Sequence, residues 1–245
     1  MKVLFRIFLL FLITLTKPCL AQENFNIDPS AKIENYNFGT LDLKVVPFGL
    51  GQEIDVGKIL ADGSIQFNWP KIDLNTIKNA DIFMGPLKSV LLGMSYCEDD
   101  QIKEETENCK VVNTQFIYLY KNDKQVGVLF PATQKELIDN EPANSYGKLV
   151  LGSSLSWFLS DSDCTFKANC SERLEWEGKY DFHKENNYKV HLKKGWNIVQ
   201  YSLEEIENYK DENGEGRMEK KVTQESLENI PDHIQWYVKS FVKIN

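Results

Sequence analysis

The sequence predicts an all-β protein: two β-sandwich-like modules, antiparallel, with few short helices. Three observations carry this expectation. Apolar and polar residues alternate with a period of two through most of the chain, turn dipeptides punctuate that alternation, and stretches with helical spacing are scarce.

The strand signals run in chain order. Leu41, Leu43 and Val45 alternate with Asp42 and Lys44, and after an Asp62-Gly63 turn Ile65, Phe67 and Trp69 alternate with Gln66 and Asn68 until Pro70 stops the run. Residues 116–120 and 125–130 flank Asn122-Asp123, which reads as a hairpin with two apolar strands. Leu155, Trp157 and Leu159 alternate with serines, and Leu174 and Trp176 with Arg173, Glu175 and Glu177. Val190 and Leu192 continue the pattern. A Lys194-Gly195 turn then leads into Trp196-Asn197-Ile198-Val199, and Ile234, Trp236 and Val238 form the last strand.

Helical signals are confined to two places. Residues 79–92 read as one short helix with Pro86 near its start, while residues 202–209 have an acidic, helix-like composition. The second stretch equally extends the Trp196 strand into a long hairpin turning at 211–216. A division is expected near Gly93 to Cys109, where Glu98-Asp99-Asp100 and Glu104-Glu105 read as a solvated loop. Residues 31–93 then form an N-terminal module, residues 94–245 a C-terminal β-rich domain, and residues 22–30 an unpacked lead-in.

Residues 1–21 read as a signal peptide, with Lys2 and Arg6 preceding an apolar run and Cys19-Leu20-Ala21 as the cleavage region. Lys17-Pro18 breaks the run well short of the roughly 20 apolar residues a membrane helix needs, and these residues do not form a lipobox before Cys19. The expectation is export to the periplasm, cell surface or exterior, with no transmembrane span after cleavage. Losing Lys2, Arg6 and Lys17 takes the formal net charge from −8 to −11. Such acidity excludes phosphate neutralisation, and hence nucleic acid, as the basis of function.

Four cysteines remain, Cys97, Cys109, Cys164 and Cys170, and an even count in an oxidising compartment reads as disulfides. The local pairs, Cys97 with Cys109 and Cys164 with Cys170, are expected because each closes a short loop at small entropic cost. Zinc lacks the two-residue knuckle and the neighbouring histidines. No cofactor is expected.

At this point Gly39-Thr40-Leu41, Ala61 to Phe67 and Trp69-Pro70 resemble the opening module of uncharacterised exported proteins of Gram-negative bacteria, similar to transthyretin-like or carboxypeptidase-regulatory-like sandwiches. Tyr118-Leu119-Tyr120 to Gly127, Trp157 to Cys170, Leu192 to Asn197 and Gln235-Trp236-Tyr237 extend the resemblance over most of the remaining chain. It implies fold and export and carries no catalytic residue.

Gly152-Ser153-Ser154-Leu155-Ser156 lacks the closing glycine of a nucleophile elbow and reads as a serine-rich strand face. His191 and His233 read as solvent-facing and His183 as part of a loop. Asp211, Asn213 and Glu215 copy the first half of a Ca²⁺ loop with Gly216 at the sixth position, but Val222 stands where the bidentate Glu belongs. Asp161 and Asp163 make a second oxygen-rich spot. The tryptophans fall at inward phases and are expected in the core. The functional expectation is a non-enzymatic, exported protein with a structural, adhesive or partner-binding role toward an unknown protein or glycan. A carbohydrate-binding module using exposed aromatics is the first alternative and an envelope hydrolase the second.

Overall fold

The computed structural model describes residues 31–245 apart from 48–50, 78–79, 94, 115, 141–148, 177–179, 212–213 and 242–245. The signal-peptide and lead-in expectations lie outside the described residues. The fold is all-β. Its strands are β1 (Leu41–Val45), β2 (Ile54–Ile59), β3 (Ile65–Phe67), β4 (Gly85–Pro86), β5 (Ile102–Glu105), β6 (Lys110–Thr114) and β7 (Ile117–Lys121). These are followed by β8 (Lys124–Ala132), β9 (Gly152–Ser160), β10 (Cys164–Trp176), β11 (Tyr180–Leu192), β12 (Gly195–Asp211), β13 (Gly214–Leu227) and β14 (Gln235–Ser240). Two short helices, α1 (Ala80–Phe83) and α2 (Leu87–Leu92), stand where one was expected, because Gly85-Pro86 interrupts the helical run and pairs with β6.

Strand pairing follows the order β3-β2-β1-β7-β8-β9-β12-β13-β11-β10-β5, with β14 on β8, β6 on β9 and β4 on β6. All pairs are antiparallel except β11 with β13, where Glu185 to Lys189 run alongside Lys221 to Glu225. The path has one narrow joint, since β8 meets β9 only through Ala132 and Ser154. On either side of that joint lie two groups of strands, which pack against each other.

Their shared core contains Leu43, Val56 and Ile65 from one group and Trp157, Leu159 and Trp196 from the other. Four of the five tryptophans meet there, as the alternating pattern predicts. The Trp69 ring lies 5.6 Å from Trp157 and 4.9 Å from Trp196, and Trp236 lies 5.1 Å from Phe67. Trp196 donates its indole N–H to the Pro70 carbonyl at 3.0 Å. A second core on the opposite face of β9 and β12 packs Phe158 and Val199 against Phe166, Val190 and helix α2. These two strands are covered on both faces, which explains the unbroken apolar runs Trp157-Phe158-Leu159 and Ile198-Val199.

The expected division at residues 93–109 interrupts neither the sheet nor the core. β1 pairs with β7, placing Leu43 opposite Leu119, and one core holds residues from both sides of the boundary. Of the acidic stretch that reads as a solvated loop, Glu98-Asp99-Asp100 open a short 3-10 turn and Glu104-Glu105 belong to the edge strand β5, whose exposed Lys and Glu side chains suit an edge.

The local disulfide pairing is overturned. Cys97 bonds Cys170 and Cys109 bonds Cys164. Cys164 and Cys170 lie on one face of β10, six residues and therefore about 20 Å apart, far beyond the reach of a disulfide. The observed bonds bracket the β5–β10 ladder, in which Glu105 faces Phe166 and Ile102 faces Ala168. Two intramolecular disulfides place the folded chain in an oxidising compartment.

Residues 202–209 are strand, not helix, and β12 and β13 form the long hairpin that was the other reading. β12 continues from Glu204 to Asp211 past its last pair with β9. The β10–β11 hairpin lies alongside, and side chains join the two. Phe182 meets Tyr209 edge-on at 5.3 Å, and Tyr209 lies over Gly216, where a Cβ would stand 2.2 Å from the ring. Lys184 Nζ reaches Glu219 Oε2 at 2.9 Å, and the Tyr201 hydroxyl donates to the other oxygen of the same carboxylate. Burial, reinforced by Glu219, drives the Tyr201 phenol far above its ordinary ionisation range.

Two outcomes are expected. With Cys109–Cys164 intact, the second bond closes only the small ring formed by the two cysteine-bracketed segments, so Cys97→Ala/Cys170→Ala is expected to cost about 3 kcal/mol. Urea denaturation measures this, and the environments of Trp69, Trp157, Trp196 and Trp236 in the native state are expected to stay unchanged because those indoles lie in the other core. Lys184→Met is expected to cost about 2 kcal/mol, because it strands a largely buried carboxylate, and Glu219→Gln only about 1 kcal/mol, because Tyr201 keeps its acceptor. Thermal unfolding of the two variants side by side checks the order.

Candidate binding surface

An open basin of about 720 Å³ lies on the outer face of β1, β2 and β3. Its construction begins with alternation: Leu41, Leu43 and Val45 point into the core, so Asp42 and Lys44 point out. A bulge between Leu43 and Lys44 in the β1–β2 register then turns Gly57 and Lys58 both away from the core, while Val56 and Ile59 remain fully buried. Gly57 has φ +142°, and a Cβ there would lie 2.0 Å from the Gln66 carbonyl oxygen, so only glycine permits the close approach of β3. Gln66 and Asn68 form one wall, and Asp123, from the β7–β8 turn, forms another. Asn122 and Asp123 have φ of 52° and 59°, the conformation of a tight hairpin turn.

Charge is tightly organised at one end. Lys44 Nζ lies 2.9 Å from Glu53 Oε2 and 3.9 Å from Asp55, and 4.6 Å above the Tyr120 ring. The Tyr120 hydroxyl donates to the second Glu53 oxygen at 2.7 Å. The hydrogen bond to Glu53 is the main reason Lys44 holds its proton above the usual lysine range, and the charges of Asp55 and Asp123 add to it. Reciprocally, Lys44 first and Tyr120 second hold Glu53 below the usual carboxylate range. Burial, then the bond to Glu53, pushes the Tyr120 phenol up to about 12. Across the basin Lys58 lies 3.5 Å from Asp42.

These signs set a pH window. The Glu53 contribution is present above the ordinary carboxylate range and is lost as pH falls through its depressed value. The Lys44 and Tyr120 contributions are present up to their ordinary ranges and are lost as pH rises through their raised values. The lattice therefore stands across neutral and mildly alkaline pH.

A smaller groove, about 570 Å³, lies over the Cys97–Cys170 bond, with Leu92, Tyr96 and Asp99 among its lining. Lys88 spans it with pairs to Asp99 at 3.5 Å and Glu105 at 3.7 Å.

The residues singled out from sequence lie elsewhere. His183 stands in β11 opposite Arg173, not in a loop, and its exposed ring meets Ser171 Oγ at 3.0 Å. His191, also exposed on β11, meets Thr165 Oγ1 at 2.7 Å, and His233 is exposed in the turn before β14. Asp211 ends β12, Asn213 lies outside the described residues, and Glu215 opens β13 opposite Lys210, at 3.7 Å. Among the described residues no group of three His, Cys, Asp or Glu side chains is arranged to hold a metal ion. Asp161 and Asp163 accept backbone N–H groups of Lys110 and Lys194 at 3.0 and 2.9 Å, as turn carboxylates do. Ser153 bonds Ser202 at 2.8 Å, and Ser156 donates to the Val199 carbonyl at 3.3 Å, so both serve strand contacts. Trp157, Trp196 and Trp236 are at most 8 % exposed.

Sequence reasoning passed over the basin because its residues read only as the wet side of amphipathic strands. The available signal was the mixture of Asp and Lys at outward positions of neighbouring strands. In a pH titration followed by tyrosine absorbance, wild type is expected to show two phenols ionising near 12, Tyr36 and Tyr120, of which Tyr120→Phe keeps only the first. Side-chain NMR should show the Glu53 carboxyl moving upward in that variant, because it loses a donor to its charged form.

No helix among the described residues is long and apolar enough to cross a membrane. Comparison with protein-family models, with curated proteins and with solved structures finds no significant match to this chain.

Proposed function

We propose that this is an exported, non-enzymatic binding protein that recognises its ligand on the β1–β3 basin. The observation that carries the reading is the basin itself: hydrogen-bond donors and acceptors face solvent on strands whose opposite face is fully buried, so the polar groups are held in fixed relative positions. Export is supported by the pattern of residues 1–21 and by the two disulfides. A sheet face suits recognition better than bond-breaking here, since Asp42, Glu53 and Asp55 are paired with lysines and the nearest phenol is held protonated by burial and Glu53.

A thermal-shift screen of the full disulfide-bonded protein against maltohexaose, hexa-lysine and hexa-glutamate tests this. At least one probe is expected to raise the melting temperature by about 2 °C or more at saturation, and Asp42→Ala/Asp55→Ala is expected to abolish the shift. No shift with any probe, or a shift that survives in the variant, sinks the reading.

A further inference from the structure

We propose that the basin takes a neutral, polyhydroxylated ligand, the face of a glycan chain; this rests on the basin being the recognition site. Two ion pairs in the basin are loose. Lys58 and Asp42 are 3.5 Å apart and Lys44 and Asp55 3.9 Å, whereas a direct charge-assisted contact closes to about 2.8 Å. A hydroxyl placed at such a pair accepts from the ammonium and donates to the carboxylate, so it adds two bonds without separating the charges. A cationic ligand must compete with the lysines for Asp42 and Asp55, which leaves it Asp123 alone, and an anionic one must compete with the aspartates for both lysines. A hydroxylated ligand avoids both costs.

The rest of the lining matches. Gln66 and Asn68 each offer an amide donor and acceptor, which suits groups that do both, while Phe67 between them turns its ring to the core, against Trp69 and Trp236. The volume of about 720 Å³ lies within the range of ligand sites, roughly 300–1,000 Å³, and exceeds a single sugar ring. Recognition here proceeds through hydrogen bonds on a sheet face, not through a row of exposed tryptophans, because those rings lie in the core.

Isothermal titration of the full disulfide-bonded protein with maltohexaose, cellohexaose and N-acetylchitohexaose, and with hexa-lysine for comparison, tests the proposal. At least one neutral hexasaccharide is expected to bind with Kd of about 0.1 mM. Its affinity should change by less than about twofold between roughly 50 and 500 mM NaCl, since no net charge is neutralised. Gln66→Ala and Lys58→Met, both at exposed positions, should each weaken it about tenfold, while Glu215→Ala on the distant hairpin leaves it unchanged. Circular dichroism and melting temperature confirm that each variant folds. No binding of any neutral hexasaccharide, or binding indifferent to both basin variants, overturns the proposal. Hexa-lysine binding at the basin with steep salt dependence, and no saccharide binding, overturns it while leaving the basin as the recognition site. Silence from every probe overturns both.

Discussion

The architecture depends on burying β9 and β12 on both faces. Once Trp157, Leu159 and Trp196 face one side and Phe158 and Val199 the other, two separate apolar layers must exist to receive them. The strands around β1 and β7 supply one layer, and β10, β11 and helix α2 supply the other. Every polar feature of interest is displaced outward as a result. The basin lies on the far side of β1 to β3, and the Lys184–Glu219–Tyr201 cluster lies where β12 and β13 run past the edge of their covering layer.

Much of this was legible in the residues because a half-buried strand writes its orientation into every second position. Leu41, Leu43 and Val45 needed no partner to declare their side, and Asp62-Gly63 and Asn122-Asp123 declared the turns. The tryptophans were legible for the same reason. Residues 202–209 were ambiguous because register shifts between Leu203 and Ile206 break the two-residue alternation, so Leu203 and Ile206 fall at a helix-like spacing while Glu and Lys side chains pair across strands, as Lys221 does with Glu204 at 3.1 Å.

What remained hidden depends on which strands become neighbours. Nothing local says that β1 pairs with β7, so the acidic stretch after Gly93 resembled a boundary when it is a stapled edge. Loop-closure entropy favoured adjacent cysteines, yet strand geometry holds Cys164 and Cys170 rigidly apart on β10 and outweighs it. The basin was invisible for a related reason: Asp42, Lys58 and Gln66 come from three strands and converge only after the sheet forms.

The nested pattern of the two sulfur bridges also bears on how the chain is made. During passage from N- to C-terminus, Cys97 and Cys109 reach an oxidising environment well before either of their native partners, Cys170 and Cys164. The first bond the growing chain can close is a wrong one. Once that bond forms, reaching the native connectivity requires a free thiolate to attack the premature link, which is the exchange a disulfide isomerase accelerates.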